Sequence, residues 1–404
     1  MNSFETAAEA QAFVRDRVDT HIPGQRKSIE NSLQFQASTV DLGDGRFTNV
    51  YDVSYRAGEM SPTIHVHDQL TSVYGLLGTS DVYKAATGGG FFFLADRMSG
   101  TPRQLALNLS MTNGIVRSLP VVDRETVILK SHALSAAFVQ SLGLLSINGE
   151  ELSWSGSLTD HETDAKVYGN GNTHITHEQN EATGKMRVLD ERSRFTPAMQ
   201  PGEMVDIGFV ARGDGSFAGI HSSREGNLDI FPHDFVLRCP ERFQIADPVL
   251  NLRTIDSLAL DSGLQGALSV GPMLETADFT EHPVNKDASL GGMPPFVERP
   301  LARIALYESE DSMVHLRLFD GRPGSETFTG VTPSEAVKLV EADGSVVWGC
   351  FLDPGQTAKL CVRTPDGTVS LGNTHYLKWA TNPGDKYIWT PEVGRPTASA
   401  ITLQ

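Results

Sequence analysis

Two aspartates in the C-terminal third of the chain are candidates for acid–base or nucleophilic catalysis. Asp320 follows the alternating segment 314–319, and Asp353 follows the apolar segment 346–352, so each closes a predicted strand. Paired carboxylates can cleave a glycosidic bond, because one protonates the leaving oxygen while the other attacks or activates water. Asp-Gly and Asp-Pro are also ordinary turn sequences, so a purely structural role stays open.

Two arginines lie near these aspartates in the sequence. Arg303 stands in the predicted strand 302–306, where its neighbours are apolar, and Arg322 follows the turn that Asp320 opens. A guanidinium presents a planar fork of donors that suits a phosphate or carboxylate group. We therefore expect both arginines to supply positive charge beside the carboxylates.

A capped helix should join the two predicted strands. Over residues 332–341, Thr332 can cap the first turn and Glu335 completes a capping box. A strand–helix–strand unit brings both carboxyl ends of its strands to one edge of a sheet. We therefore expect Asp320 and Asp353 to converge at that edge.

A run of glycines forms a second candidate site. Gly88, Gly89 and Gly90 follow the strand-like segment 81–86 and precede three phenylalanines. Glycines let backbone amides approach a ligand closely. The run is neither a dinucleotide fingerprint nor a P-loop, because no matching spacing or following helix occurs. The alternative is a bulge or tight bend that packs the phenylalanines into the core.

Histidines occur in two close pairs. His65 and His67 would share one face of a strand, and His174 and His177 lie in a polar stretch that could form a lid. With twelve histidines in the chain, such spacings arise by chance, so we favour polar surface or substrate contact over metal binding. No metal and no cofactor is predicted, and no GxSxG elbow anchors a serine nucleophile.

Composition narrows the possible partners and the compartment. The 404 residues carry a net charge of −17, which disfavours nucleic acid and anionic membranes. No apolar run approaches the roughly 20 residues of a membrane span, and the N-terminus lacks a secretory pattern, so we expect a cytoplasmic protein. Three cysteines without CxxC spacing predict buried, reduced thiols. The composition is compatible with a homo-oligomer and does not determine the oligomeric state.

Alternating segments dominate the chain. Residues 33–37 and 49–55 read as strands joined at Asp44-Gly45, whereas residues 4–20 have the pattern of an amphipathic helix. The Pro- and Gly-rich segment 281–300 reads as a long loop. The pattern predicts an α+β fold: a strand-rich single domain with a mixed β-sheet core and few helices.

Six segments, taken in order, resemble the phosphodiester glycosidase family between about residues 80 and 365. They are 87–92 (TGGGFF), 230–237 (IFPHDFVL), 270–274 (VGPML), 301–306 (LARIAL), 320–322 (DGR) and 352–357 (LDPGQT). The chain departs from the family at Thr87, at Ile304 and at Pro354-Gly355-Gln356. The resemblance implies a family domain over 76–404 with a polar insertion at about 155–192, preceded by an N-terminal extension of helix and strand over 1–75.

The resemblance also implies an activity and its residues. It implies a glycosidase that cleaves or transfers at the anomeric carbon of a glycoside such as a sugar-1-phosphodiester, with Asp320, Asp353 and Arg303 as catalytic residues. The implied substrate-binding residues are Gly88, Gly89, Gly90, Gly271, Arg322, Gln356, Thr357, His174 and His177.

Two other functions remain open from the sequence. The first is a glycoside hydrolase or glycan-cyclising transglycosylase that acts on a neutral oligosaccharide, which the departures from the family favour. The second is a non-catalytic carbohydrate-binding protein, for which Trp348, Trp379 and Trp389 would form the aromatic platform.

Overall fold

The computed structural model describes most of the chain. Outside the described residues lie 1, 7–8, 10–11, 14–26, 29–32, 93–102, 171–174, 181–183, 190–193, 201, 261–262, 281–298, 323–324, 365–366, 373–376, 379–386 and 391. Most of the predicted helix over 4–20 and nearly all of the predicted loop 281–300 are therefore outside them. Among the described residues of that predicted helix, Phe4 ends a short strand, whereas Glu9, Ala12 and Phe13 are helical.

The fold is mostly β, with 52% strand and 9% helix, so the predicted α+β class with a mixed sheet core is wrong. Among the described strands, one pairing is parallel, between residues 154–156 and 165–167. The physical reason is that antiparallel pairing, both in hairpins and between strands distant in sequence, needs no crossover helix. The abundance of glycine and Asx-Gly turns serves these hairpins.

A six-stranded sheet holds the candidate site residues. In spatial order its strands are β2 (Lys27–Ser28), β3 (Leu33–Gly43), β4 (Arg46–Arg56), β23 (Met313–Asp320), β22 (Arg303–Ser309) and β24 (Val346–Phe351). The predicted hairpin between β3 and β4 is confirmed. Asp44 and Gly45 have φ angles of 52° and 73°, the positive values that a tight two-residue turn demands.

A five-stranded sheet packs against the first one. Its strands in order are β26 (Gly367–Leu371), β25 (Leu360–Thr364), β6 (Ala85–Gly88), β29 (Thr397–Leu403) and β5 (Pro62–Thr71). A second five-stranded sheet contains β10 (Ala133–Val139), β9 (Arg124–Lys130), β21 (Leu264–Ser269), β7 (Ser110–Thr112) and β8 (Ile115–Ser118). Strands on both sides of residue 75 share sheets, and the division of the chain at that point stays a prediction.

Seven further strands close into a barrel. They neighbour one another in the order β11 (Leu142–Ile147), β12 (Glu150–Gly156), β13 (Ala165–Tyr168), β18 (Phe235–Pro240), β16 (Met204–Ala211), β17 (Phe217–Ser223) and β19 (Val249–Ile255). Pairing of β11 with β19 completes the ring, and β20 (Leu258–Ala259) extends β19. Closure leaves the ring without unpaired edges, and its interior is filled by large side chains such as Trp154, Phe209 and Phe235.

The remaining strands form two small sheets. They are the hairpin of β14 (Ile175–Asn180) with β15 (Gly184–Leu189), and a set of β1 (Asn2–Phe4), β28 (Tyr387–Trp389) and β27 (Leu377–Lys378). The hairpin falls inside the predicted polar insertion.

Two α-helices are described over their full length, α1 (Val73–Gly78) and α2 (Pro333–Glu341). The predicted capping box of α2 is confirmed, because Thr332 Oγ1 accepts the Glu335 amide and the Glu335 carboxylate accepts the Thr332 amide. No helix in the described part of the chain is long and apolar enough to cross a membrane.

The two faces of the six-stranded sheet are buried differently. One face, which carries Ile304 and Leu318, packs on the β25–β6–β29 sheet through residues such as Leu360. The other face carries Phe319 and lies beneath α2 with its own smaller apolar cluster. A side chain's position along the strand therefore decides which of two environments it enters.

Candidate active site

Three predicted residues lie at one edge of the six-stranded sheet. Strand β23 ends at Asp320, β22 begins at Arg303, and β24 ends two residues before Asp353. Strands β23 and β24 run in the same direction because each pairs antiparallel with β22, which separates them. The prediction that their carboxyl ends share an edge is thus confirmed, although β22 lies between the two strands.

Register places two of these residues on opposite faces of the sheet. Arg303 pairs with Phe319, so its side chain shares the face beneath α2. Asp320 is the next residue and faces the five-stranded sheet instead, because side chains alternate along a strand. The carboxylate and the guanidinium therefore lie at the same edge without sharing a face, which the sequence did not predict.

Arg303 is almost entirely buried, with 2% of its surface exposed. Its Nε donates to the Val331 carbonyl at 2.9 Å, and one terminal nitrogen donates to the Arg299 carbonyl at 2.8 Å. Burial, together with the neighbouring positive charge of Arg299, lowers the pKa of Arg303 to about 9, so it stays protonated at neutral pH. Its position ties the start of β22 to the turn before α2.

Asp320 is also buried, and a lysine that the sequence analysis missed lies near it. One Asp320 oxygen accepts the Gly321 amide at 2.9 Å. Lys359 is fully buried, and its Nζ donates to the Gly372 carbonyl at 2.9 Å. Burial lowers the pKa of Lys359, whereas Cys361, Asp320 and Glu392 act in the opposite direction. The available signal in the sequence was its place between the apolar residues Ala358 and Leu360.

Asp353 lies in a half-buried turn that contacts the glycine run. Its amide donates to the Gly89 carbonyl at 2.9 Å, and the Gly355 amide donates to the Ala302 carbonyl at 2.7 Å. Thr357 Oγ1 donates back to the Asp353 carbonyl at 3.0 Å. The turn is thus fixed both to β22 and to the end of β6, and it brings two separately predicted motifs together.

The three glycines pack tightly against other parts of the chain. Their amides donate respectively to the Lys359 carbonyl, the Ser399 carbonyl and the Ser399 hydroxyl. A Cβ added at Gly90 would lie 2.0 Å from the Ser269 carbonyl oxygen. This geometry supports the tight-bend interpretation, because all three amides already have acceptors within the protein. A substrate-binding role for the glycines stays a prediction.

Gln356 faces a second residue that the sequence analysis missed. Its Oε1 lies 3.5 Å from a terminal nitrogen of Arg395, and the Arg395 guanidinium lies 5.7 Å from the centre of the Phe92 ring. Arg322 is half-buried in the turn after Asp320, where its amide donates to the Phe328 carbonyl. Arg395 therefore adds a partly exposed cation beside the Asp353 turn.

Of the other predicted contact residues, the structure describes Gly271 but not the side chains of the two histidines. Gly271 lies below β24, where its amide donates to the Phe351 carbonyl at 2.8 Å. His174 lies outside the described residues, and His177 lies on β14 with its side chain undescribed. Trp379 is likewise outside the described residues, so neither the lid nor the aromatic platform is tested by the structure.

Metal and thiol chemistry gain no support from the described part of the chain. It contains no group of three or more His, Cys, Asp or Glu side chains placed to hold a metal. His65 and His67 do share a face, with ring centres 6.1 Å apart. The three cysteines are free and buried as predicted, and burial raises the pKa of the Cys239 thiol to about 12.

Comparison with known proteins shows a distant likeness of fold. No family model matches the chain, and no curated protein matches it significantly. A hypothetical protein from Synechocystis has a TM-score of 0.54 at 13% identity over 92% of this chain, which spans only 62% of that protein. A putative exported protein from Burkholderia pseudomallei has a TM-score of 0.51 at 14% identity, covering 100% of this chain and 90% of that one.

A third solved structure is the catalytic domain of zebrafish N-acetylglucosamine-1-phosphodiester alpha-N-acetylglucosaminidase, auto-inhibited by its pro-peptide. It has a TM-score of 0.41 at 12% identity, covering 100% of this chain and 95% of that one. At these identities the likeness to the first two structures is one of fold alone. The predicted resemblance to phosphodiester glycosidases corresponds to this distant similarity and to no sequence family.

Proposed function

We propose that this protein is a glycosidase that acts at the anomeric carbon of a sugar-1-phosphodiester, by hydrolysis or by transfer. The observation that carries the proposal is the arrangement at one edge of the six-stranded sheet. Asp320 ends β23, Arg303 begins β22 and the Asp353 turn follows β24, so all three lie at that edge, although positions 303, 320 and 353 are far apart in the sequence. Paired carboxylates at a sheet edge are suited to glycosidic chemistry.

The two carboxylates would divide the catalytic work. Asp353 is half-buried in the turn, so it can meet a substrate, whereas Asp320 is held by the Gly321 amide beneath it. A phosphodiester is a good leaving group that needs little protonation. The main demand on the site is therefore to stabilise positive charge on the sugar ring and negative charge on the departing phosphate.

Positive charge for the phosphate would come from more than one residue. Arg395 is half-buried beside Gln356 and is the cation best placed to contact a substrate directly. Arg303 would contribute its positive charge without contacting the substrate. Its nitrogens donate to the Val331 and Arg299 carbonyls and so fix the first residues of β22. Gln356 would contact sugar hydroxyls, whereas the buried Thr357 hydroxyl, which donates to the Asp353 carbonyl, would hold the turn in place.

A second candidate is a glycoside hydrolase, or a glycan-cyclising transglycosylase, for a neutral oligosaccharide. The burial of Arg303 favours it, because a guanidinium that is 2% exposed and bonded to main-chain carbonyls does not reach out to a substrate phosphate. The two candidates differ in the leaving group they accept.

The test compares two substrate classes on the purified full chain. Sugar-1-phosphodiesters and nitrophenyl glycosides of the same sugars are incubated with the protein, and released sugar is measured by mass spectrometry. We expect turnover of the phosphodiester, and loss of about 100-fold or more in Asp353→Asn and Asp320→Asn. Asp214→Asn is the matched control, because Asp214 is an exposed turn residue of the β16–β17 hairpin.

Each outcome decides between the candidates. Turnover of the nitrophenyl glycosides alone supports the neutral-oligosaccharide enzyme. Binding of sugars without turnover supports a carbohydrate-binding protein. If both aspartate variants fold and retain full activity, the proposed carboxylate pair is wrong.

A further inference from the structure

A serine, a histidine and an aspartate are hydrogen-bonded in series at the opposite edge of the same six-stranded sheet. Ser309 ends β22, His315 lies early in β23, and Asp52 lies on β4. The Ser309 hydroxyl oxygen is 3.3 Å from His315 Nε2, and His315 Nδ1 is 2.9 Å from Asp52 Oδ2. This is the connectivity of a catalytic triad, assembled on three neighbouring strands.

The aspartate end of the series is buried and charged. Asp52 Oδ1 also accepts from Arg317 Nε at 3.2 Å. Burial acts to raise the pKa of the Asp52 carboxyl, but the hydrogen bond from His315 and the charge of Arg317 outweigh it, so the pKa lies below its ordinary value. Asp52 is therefore an ionised acceptor at neutral pH, as the orienting member of such a series must be.

The histidine is held in one orientation. With its Nδ1 proton donated to Asp52, His315 presents Nε2 to Ser309 as an acceptor. Its ring stacks on that of Tyr307, with centres 4.5 Å apart and planes 5° apart. Both the ring plane and the tautomer are thus set by contacts already present in the protein.

A cavity of about 350 Å³ opens onto the reactive end of the series. Ser309, His315 and Tyr307 line it, whereas Asp52 lies behind them and does not. Within the described part of the chain, the buried hydroxyl of Tyr307 has no hydrogen-bond partner. Burial raises the pKa of Tyr307, so this hydroxyl stays protonated at neutral pH.

The resting hydrogen of Ser309 has three competing acceptors. Its hydroxyl oxygen lies 2.6 Å from Asp311 Oδ1 and 3.1 Å from the Met313 carbonyl oxygen, and both are nearer than His315 Nε2. Asp311 is exposed in the turn between β22 and β23. Rotation about the Cβ–Oγ bond of Ser309 is enough to move the hydrogen from Asp311 to His315.

We propose that Ser309, His315 and Asp52 form a second hydrolytic site, one that cleaves small carboxylic esters. Ser309 Oγ attacks the carbonyl carbon while its proton passes to His315 Nε2, and the ester C–O bond breaks as His315 protonates the leaving alkoxide. Water then attacks the acyl-serine, gives a proton to His315, and releases the acid as that proton returns to Ser309.

Charge around the cavity restricts the acyl group. Glu310, Asp311 and Asp343 line it, and Asp343 is paired with Arg317. An anionic substrate would be repelled, so the site accepts uncharged or cationic esters. It is independent of the proposed glycosidase site, because six residues of extended strand, about 20 Å, separate Ser309 from Arg303.

Labelling of the folded full chain gives the direct test. A fluorophosphonate probe reacts with an activated serine by forming the Ser–O–P bond and expelling fluoride, with the serine proton taken up by the base. We expect one adduct, located on Ser309 by peptide mass spectrometry, and none after unfolding in urea. Absence of a Ser309 adduct in the native protein overturns the proposal without needing any variant.

Ester turnover gives the second measurement. With p-nitrophenyl acetate, we expect Ser309→Ala and His315→Gln each to lower kcat by about 100-fold or more. Asp52 acts through His315 as a positioning residue, so Asp52→Asn should lower kcat while KM changes less than about twofold. Ser312→Gly is the control, because Ser312 is exposed in the same turn with φ of 63° and does not line the cavity.

The variant Asp311→Ala tests whether His315 or Asp311 is the base that accepts the Ser309 proton. If His315 is the base, removing the competing acceptor maintains or raises the labelling rate of Ser309. If labelling falls to the level of Ser309→Ala, Asp311 is the base and the proposed role of His315 is wrong. Equal turnover by Ser309→Ala and the unmodified chain rejects the site altogether.

Discussion

Acid should destabilise this protein through His65. The side chain lies on β5, with Nε2 2.9 Å from the hydroxyl of Thr402, and its ring packs edge-on against Tyr83. Burial, reinforced by the neighbouring ring of His67, lowers the pKa of His65 from 6.5 to about 4. The folded state therefore keeps this imidazole neutral at pH values where an unfolded chain has already protonated it.

The sign and the size of the effect follow from that pKa. Because the folded-state pKa is depressed, the unfolded state binds the extra proton between pH 6.5 and about 4. The free energy of unfolding falls as pH falls through this window. The difference between the two pKa values corresponds to about 3.4 kcal/mol. Since the imidazole keeps part of its solvent contact, we expect about 2 kcal/mol.

Urea denaturation between pH 4.5 and 7.5 measures this loss. His65→Gln keeps a polar partner for Thr402 but does not titrate, so it should lose about 2 kcal/mol less than the unmodified chain on acidification. His132→Asn is the control, because His132 is exposed with φ of 66°, which asparagine tolerates. Parallel pH dependence of the unmodified chain and His65→Gln would refute the assignment to His65.

Three further predictions concern the stability of the fold. Thr332→Ala removes the cap of α2 and should lower the free energy of unfolding by about 1 kcal/mol in urea titrations. Gly90→Ala should unfold the protein or lower its Tm sharply, because the new Cβ would lie 2.0 Å from a carbonyl oxygen, whereas Gly213→Ala meets no atom within 4 Å and should leave Tm unchanged. Asp206→Ala should cost about 3–5 kcal/mol by leaving the Arg238 charge without its buried carboxylate, measured by the same titrations.

Local signals were sufficient for individual elements. The capping box of α2 and the Asp44-Gly45 turn both depend on residues within four positions of each other, and both are confirmed. The strands at 302–306, 314–319 and 346–352 follow from alternation and apolar runs, and they form β22, β23 and β24. Such features need no partner from elsewhere in the chain to be recognised.

The fold class could not be predicted from such local signals. Alternating segments with a few helical patterns suggested an α+β fold with a mixed sheet, but β22 lies between β23 and β24 and pairs antiparallel with both. Likewise, nothing local shows that β11 pairs with β19, more than a hundred residues away, to close the barrel. Such pairings depend on which distant faces can bury apolar surface together.

The same distinction between local signals and long-range contacts applies to the residues of the candidate sites. Residue types and their neighbours were enough to predict that Asp320 ends one strand and that Asp353 follows another. The opposite faces of Arg303 and Asp320, and the approach of Lys359 and Arg395 to that edge, follow from strand register and packing. Asp52 and His315 are 263 residues apart in the sequence, and the tertiary structure brings them within hydrogen-bond distance. The physical reason is that strand register, rather than sequence spacing, sets which side chains are close in space.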